Sequence, residues 1–512
     1  MKVKFSNIGT CAMMALAGCN SKAETKAPNI VFILADDMGY GDVSALNPES
    51  KIRTPNIDRI ARNGVTFTSA HSGSAVSTPT RYGILTGRYS WRTTLKSGTL
   101  NGYSKALISQ DRLTMAGMLQ QQGYHTACFG KWHLGWDWAN IEAGKENIDY
   151  SRPVINAPVT RGFDYFYGIS ASLDMPPYVY LENDTPTAVP DRLTEGNNIP
   201  VGEEGYNGAM WRKGPTGSDF IHADCLPNLN RRVIQYINEH AKSDKPFFLY
   251  YPMPAPHTPI LPVKEFQGKS GLSPYADFTM MVDHFVGEIV QTLEKNKIAD
   301  NTILVFASDN GIALWSDIKY MEEHGHFPSY IYRGYKADLY DGGHHIPCLM
   351  QWPARIQPHT VNQTICLNDF MATFAELTGY RLKDNEAEDS FSLLPTLFDE
   401  NYQGEVREAV VHHSGEGYFS IRKGKWKLLM APGSGGWSYP VPGEEPPGSP
   451  PVQLFDINVD KGEKMNLQDK FPEVVAELKA LLTKYIKEGR STPGAIQKND
   501  KYPWQNLNWM DL

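Results

Sequence analysis

The chain has 512 residues, 41% of them hydrophobic and 21% charged, the composition of a globular protein with room for one large domain and a smaller one, not of a disordered chain. Lys and Arg total 49 against 57 Asp and Glu, so the net charge of -8 gives no reason to expect nucleic acid, which normally wants a basic face. The 26 Tyr and 11 Trp suit stacking on sugars but equally suit a large core, and alone they decide nothing.

Residues 1–19, "MKVKFSNIGTCAMMALAGC", join two lysines to a short apolar run and small residues. That is the pattern of a secretory signal, too short to span a bilayer. Its end, Leu16-Ala17-Gly18-Cys19, resembles a bacterial lipobox, which implies cleavage before Cys19 and a lipid on that cysteine; a plain signal with an incidental cysteine is the alternative. Residues 20–27 then serve as a polar tether. No later apolar run has the length of a span, so the expected membrane contact is the N-terminal lipid anchor alone. The expected location is exported, in the periplasm or on the outer membrane, with the cell surface open to it. Cys128, Cys225, Cys348 and Cys366 show no metal-type spacing, and spacing assigns them no disulfide.

From residue 28 short apolar runs alternate with amphipathic stretches. "NIVFILAD" (29–36), "TACFG" (126–130), "PFFLYY" (246–251), "TILVFAS" (302–308) and "IPCLMQW" (346–352) read as strands buried on both faces. Between them, "TPNIDRIARNG" has Thr54 as N-cap, Pro55 at the first helical position and Gly64 as a stop. "RLTMAGMLQQQG", "DFTMMVDHFVGEIVQTLEKN" and "LNDFMATFAELTG" are further helices. The alternation predicts an α/β domain over 28–400 with a mostly parallel sheet and function at the strand ends. Over 401–512, "EAVVHH", "YFSIRKG", "KWKLLM" and "QLFDIN" read as antiparallel strands and "PEVVAELKALLTKYIKEG" as one helix, a smaller α+β domain. The Pro- and Gly-rich stretch before "QLFDIN" is a loop.

Two strand ends carry acids. Asp36 and Asp37 follow the first strand, where adjacent carboxylates repel unless a cation or solvent meets them. Asp309 and Asn310 follow "TILVFAS", and the two ends together supply most of the oxygen shell of a Ca²⁺ ion.

The motifs "NIVFILADDMGYGD", "TPNIDRIARNGVTF", "STPTRYGILTGR", "GKWHLG", "PHTP", "SDNG" and "YKADLYDGG" occur in the order typical of the type I sulfatases, and the chain resembles that family over nearly all its mature length. The resemblance implies an alkaline-phosphatase-like fold: a large mixed sheet sandwiched by helices, with a smaller C-terminal antiparallel α+β domain. It implies that Ser77, in Ser77-Thr78-Pro79-Thr80-Arg81, is oxidised to formylglycine (3-oxoalanine), whose gem-diol is the nucleophile; serine as precursor resembles the branch matured by an anaerobic serine-type sulfatase-maturating enzyme. A plain serine hydroxyl is a weak nucleophile, whereas a gem-diol oxygen on a cation deprotonates readily. Carried over residue by residue, Asp36, Asp37, Asp309, Asn310 and residue 77 would hold Ca²⁺, and Arg81 would fix the gem-diol from one turn away. Lys131 and His133 share a face if locally extended; Lys131 would neutralise sulfate oxygens and His133 would contact the gem-diol and act as base, while His257 and Lys336 would bind sulfate and support protonation of the leaving alcohol.

Relatives often carry Glu-Gly-Gly-x-Arg where this chain reads Asp341-Gly342-Gly343-His344-His345, so the arginine's role is open here. Asp174, Tyr178, His326 and His345 are candidate sugar contacts, with loop packing the alternative for each. The expected substrate is a sulfated carbohydrate, with galactose or N-acetylgalactosamine units taken exo by analogy. A phosphonate or phosphodiester hydrolase of the same fold, and a non-catalytic glycan-binding lipoprotein, are the other readings.

Overall fold

The apolar runs assemble into the middle of one ten-stranded sheet. In this computed structural model, which describes residues 26–141, 147–199, 206, 209–501, 503–504 and 506–510, its strands are β1 (Asn29–Ala35), β2 (Val65–Phe67), β3 (His125–Lys131), β4 (Tyr165–Ile169), β5 (Leu181–Glu182), β6 (Thr185–Pro186), β7 (Phe247–Pro252), β8 (Thr302–Ser308), β9 (Cys348–Gln351) and β10 (His359–Val361). The signal, Cys19 and most of the tether lie outside the described residues.

The strand order is β10-β2-β9-β8-β1-β7-β3-β4-β5-β6. The central five, β8 to β4, run parallel, and antiparallel pairings at β9 and β5 make the whole sheet mixed. Within β1 the pleat sends Val31 and Ile33 into one apolar layer and Ile30, Phe32 and Leu34 into another, so both faces are buried and the run shows no polar alternation. Helices α1 (Pro55–Arg62), α4 (Cys225–His240) and α5 (Pro274–Lys295) cover the first face; α2 (Ser77–Thr86), α3 (Met115–Gln121) and α6 (Asp369–Thr378) cover the second.

Local chemistry sets the helix starts. Ser273 caps α5 by accepting the Ala276 N–H at 3.2 Å, with Pro274 in the first turn. At α1 the expected cap differs: Thr54 donates its hydroxyl to Asp58 at 2.9 Å, and α1 stops at Arg62 with Asn63 beyond it. Gly64 is needed for space instead, since a Cβ there would sit 2.1 Å from the Met350 carbonyl oxygen.

After the large sheet, β11 (Val410–His413), β12 (Phe419–Lys423), β13 (Trp426–Leu429) and β14 (Gln453–Asp456) form an antiparallel meander, and α7 (Pro472–Lys487) packs on it through Leu478, Leu482 and Ile486. Cys128, Cys225, Cys348 and Cys366 are buried free thiols. No helix among the described residues is long and apolar enough to cross a membrane.

Candidate active site

Parallel register is what brings the acidic strand ends together. Ala35 of β1 pairs with Ser308 of β8, so Asp36–Asp37 and Asp309–Asn310 leave the sheet side by side. Asp37 turns the chain with φ of 65°, and its N–H donates to Asp309 Oδ1 at 3.2 Å. Asn310 Nδ2 donates to Asp37 Oδ1 at 2.7 Å. On the other side of β1, β7 leads towards His257, and β3, next beyond, ends at Lys131.

Helix α2 points its N-terminus at these ends. It is buried along its whole length, with Pro79 in the first turn where a missing N–H costs nothing and Gly87 closing it at φ of 63°. Ser77 is its first residue, and the helix's unpaired N–H groups there favour an anion. Ser77 Oγ donates to Asp36 Oδ1 at 3.2 Å and lies 3.5 Å from Asn310 Oδ1. Lys131 Nζ donates to Asp36 Oδ2 at 2.7 Å and to Ser77 Oγ at 3.3 Å. Arg81, one turn along, donates to Asp309 Oδ2 at 2.8 Å and to the Lys131 carbonyl at 3.1 Å, and lies 3.4 Å from Asp36 Oδ1. Lys336 Nζ grips both Asp37 oxygens at 2.6 and 2.8 Å.

Three carboxylates thus face three cations, each at most 4% exposed. Burial pushes the Asp36 carboxyl up, but Lys131, His257 and Arg81 outweigh it and hold it well below the usual carboxylate range. Burial draws the Lys131 ammonium down, with Asp36 opposing. At Lys336 burial is overcome by Asp37, Asp36 and Asp309, which raise it. The donor set suits a hard divalent cation: three carboxylates and an amide oxygen are buried together, and Asp36, Asp37 and His257 bring ligand atoms within 4.8 Å of one another. Such an ion would turn a balanced site net positive, which favours an anionic ligand.

His257 is 5% exposed, its Nδ1 sits 2.5 Å from the Thr258 carbonyl, and its Nε2 faces Asp37 Oδ2 at 3.6 Å. The carbonyl contact places the proton on Nδ1. His133 contacts the Leu100 carbonyl through Nε2 at 2.7 Å, leaving its buried Nδ1 without a partner among the described residues. Burial, then Lys131 and Arg81, keep its imidazole neutral by drawing it well below the ordinary histidine value. The chain is extended through Lys131, the last residue of β3, but the backbone at His133 has φ of 56°, so the expected extended segment carrying both side chains on one face breaks at His133.

Of the candidate sugar contacts, Asp174 lies by the site, its Oδ1 3.9 Å from His257 Nδ1 and its Oδ2 paired with Arg212. The other three are satisfied inside the protein. Tyr178 donates its hydroxyl to the Arg212 carbonyl at 2.5 Å and lies 3.0 Å from the Asp174 carbonyl, a buttress behind Asp174. His326 is fully buried between Asp42, at 2.8 Å, and the Lys51 N–H. His345 joins Asp341 at 3.3 Å to the Thr68 carbonyl at 2.9 Å, its ring against Tyr40, Tyr332 and His71. Neither histidine has surface to offer a sugar. Sequence reasoning passed over Tyr275, whose hydroxyl donates to Asp42 Oδ2 at 2.6 Å and lies 2.9 Å from the Asp37 carbonyl, and Asp42 itself, which takes the Gly39 N–H at 2.8 Å. Together they hold the turn carrying Asp37; the available signal was that Asp42 closes the quoted "DDMGYGD" motif.

A sulfatase family profile matches residues 28–380. An N-acetylgalactosamine-6-O-sulfatase of Bacteroides thetaiotaomicron is 34% identical over 505 residues, covering 91% of this chain and 96% of its own. Human arylsulfatase A is 29% identical, covering 93% and 90%. A structure solved in work on glycosaminoglycan metabolism by Bacteroides thetaiotaomicron superposes with a TM-score of 0.79 at 34% identity, covering 90% of this chain and 99% of that one. A Pseudoalteromonas sulfatase at 24% identity and a TM-score of 0.68 shares the fold.

Proposed function

Because the chain belongs to the sulfatase family and is a sulfuric ester hydrolase, we propose that it removes sulfate from the ends of glycans, at galactose or N-acetylgalactosamine units. The observation that carries the reading is Ser77 at a buried helix N-terminus, within 3.5 Å of Asp36, Lys131 and Asn310. The N-acetylgalactosamine-6-O-sulfatase likeness supports the sugar. The signal and lipobox pattern supports an exported lipoprotein anchored through Cys19.

Asp36, Asp37, Asp309 and Asn310 would hold Ca²⁺, which supplies Lewis acidity towards sulfate and residue 77. Oxidised by a serine-type maturase and hydrated, residue 77 would supply one hydroxyl to attack sulfur and a second that lets sulfate depart. The remaining work belongs to the chain's own side chains. Lys131 and Lys336 offer positive charge where the sulfuryl oxygens gather negative charge. Arg81 fixes the Asp309 carboxylate and the end of β3, and so positions Lys131. His133, neutral and with Nδ1 open, can take a proton when the ester collapses. His257 stands opposite, and with Nδ1 held by the Thr258 carbonyl its Nε2 is the nitrogen left to serve the leaving oxygen.

The test is protein made with a serine-type maturase, assayed on defined sulfated mono- and disaccharides beside the matching phosphate esters. Turnover of the sulfates, a residue 77 peptide lighter by two hydrogens and an inactive Ser77→Ala variant are expected. Full turnover from protein whose residue 77 is wholly serine, or preference for the phosphate esters, would refute it.

A further inference from the structure

The loop from β13 to β14 leaves the small sheet and comes to rest on the segment that carries Lys336. Asp338, fully buried, clamps it there. Its Oδ1 accepts the N–H groups of Trp437 at 2.9 Å and Ser438 at 3.0 Å; its Oδ2 accepts the Tyr335 N–H at 2.9 Å and the Ser438 hydroxyl. The Leu339 N–H donates to the Ser434 carbonyl at 2.8 Å. The fit is backbone to backbone, since a Cβ on Gly436 would lie 2.3 Å from the Ala337 carbonyl oxygen.

This clamp sets the Trp437 ring against Trp315, with centroids 5.4 Å apart and planes at 37°. Lys336 Nζ lies 5.8 Å from the Trp315 ring centroid while holding Asp37. Trp437 is fixed at its other end, Nε1 donating to Glu416 Oε1 at 2.9 Å. Both indoles are only half-buried, and nearby in the chain Leu314 is 38% exposed and Tyr439 69% exposed. A rigid aromatic surface beside a buried lysine suits a ligand that is anionic at one end and apolar on one face. A galacto-configured pyranose presents such a face of C–H groups, and its sulfate is the anion.

We propose that Trp315 and Trp437 form the wall against which the sulfated pyranose packs, so that the C-terminal domain supplies half of that wall. This rests on the glycan reading above. The test uses matured full-length protein and the sulfated saccharide that the wild type turns over best. Trp437→Ala is expected to raise KM about 10-fold or more, with kcat little changed. Inhibition by the desulfated sugar should weaken in parallel, inhibition by inorganic sulfate should not move, and Trp437→Phe should recover most of the loss. An unchanged KM overturns the wall. So does a sulfate inhibition constant that rises together with KM, which would mean that the loop merely props Lys336. A wild type that cleaves aryl sulfates but no sulfated saccharide overturns the glycan reading, and the wall with it.

Discussion

Replacing Arg81 by Lys keeps the charge and removes the fork. The guanidinium spans Asp309 Oδ2 at 2.8 Å, the Lys131 carbonyl at 3.1 Å and Asp36 Oδ1 at 3.4 Å, and is wholly buried. One ammonium on a shorter stem reaches one of these well, not all three. Loss of a single charge-assisted hydrogen bond is worth about 1.5–3 kcal/mol, so kcat/KM should fall about 10- to 150-fold. Arg81→Ala should do more, because it strands the buried Asp309 carboxylate while Asp36 keeps Lys131, a change of the order of 3–5 kcal/mol in stability. The assay is steady-state hydrolysis of a sulfated saccharide by matured protein, beside calorimetric unfolding of each variant. An Arg81→Lys enzyme within about threefold of wild type would refute the positioning argument.

Asp309→Ala, or chelation of the native protein, should lower turnover by about 10²-fold or more, with calcium restoring only the chelated enzyme; near wild-type turnover by the native protein in calcium-free buffer would remove the cation from the mechanism. Glu463, buried against Lys427 at 2.8 Å, has its carboxyl pushed up from 4.5 to about 7 by burial, with Lys427 opposing and Asp341 adding to it. The folded protein therefore keeps a proton that the unfolded chain releases, so stability falls as pH rises from about 4.5 to about 7 and is level above that. Glu463→Gln should flatten that part of the Tm against pH curve, and an unchanged slope would contradict the linkage. Cys19→Ser should move the protein from the membrane to the soluble fraction; an unchanged distribution argues against the lipid.

Sequence reads well where chemistry and strand ends coincide. β1 is apolar from Ile30 to Ala35 and β8 from Ile303 to Ala307, and both lead into residues whose only inexpensive buried setting is a cation or a counter-charge, so both the sheet centre and the acidic cluster are legible. The short strands are not. β4, "YFYGI", has too few residues to show a period, and its Gly168 reads as a break; the glycine is there because a Cβ would lie 1.9 Å from the Gly130 carbonyl oxygen of β3. α4 carries Pro227, three Asn and two Arg, and only burial of Leu226, Leu229, Val233 and Ile237 makes it a helix. His326 and His345 mislead because polarity in a loop suggests surface, whereas Asp42 and Asp341 hold them inside. The tryptophan wall is invisible in sequence, since Trp315 and Trp437 meet only through tertiary packing.

The depth of Ser77 carries a consequence for the order of events in the protein's synthesis. Its side chain is 1% exposed and roofed by residues that follow much later, Asn310 coming 233 positions after it. At 5–20 residues per second, the ribosome needs roughly 10–50 s to add that much chain. During that interval residue 77 exists without its cover. An enzyme that oxidises it has to act then, or on a chain held unfolded for export, because the finished fold admits no second protein to that helix end.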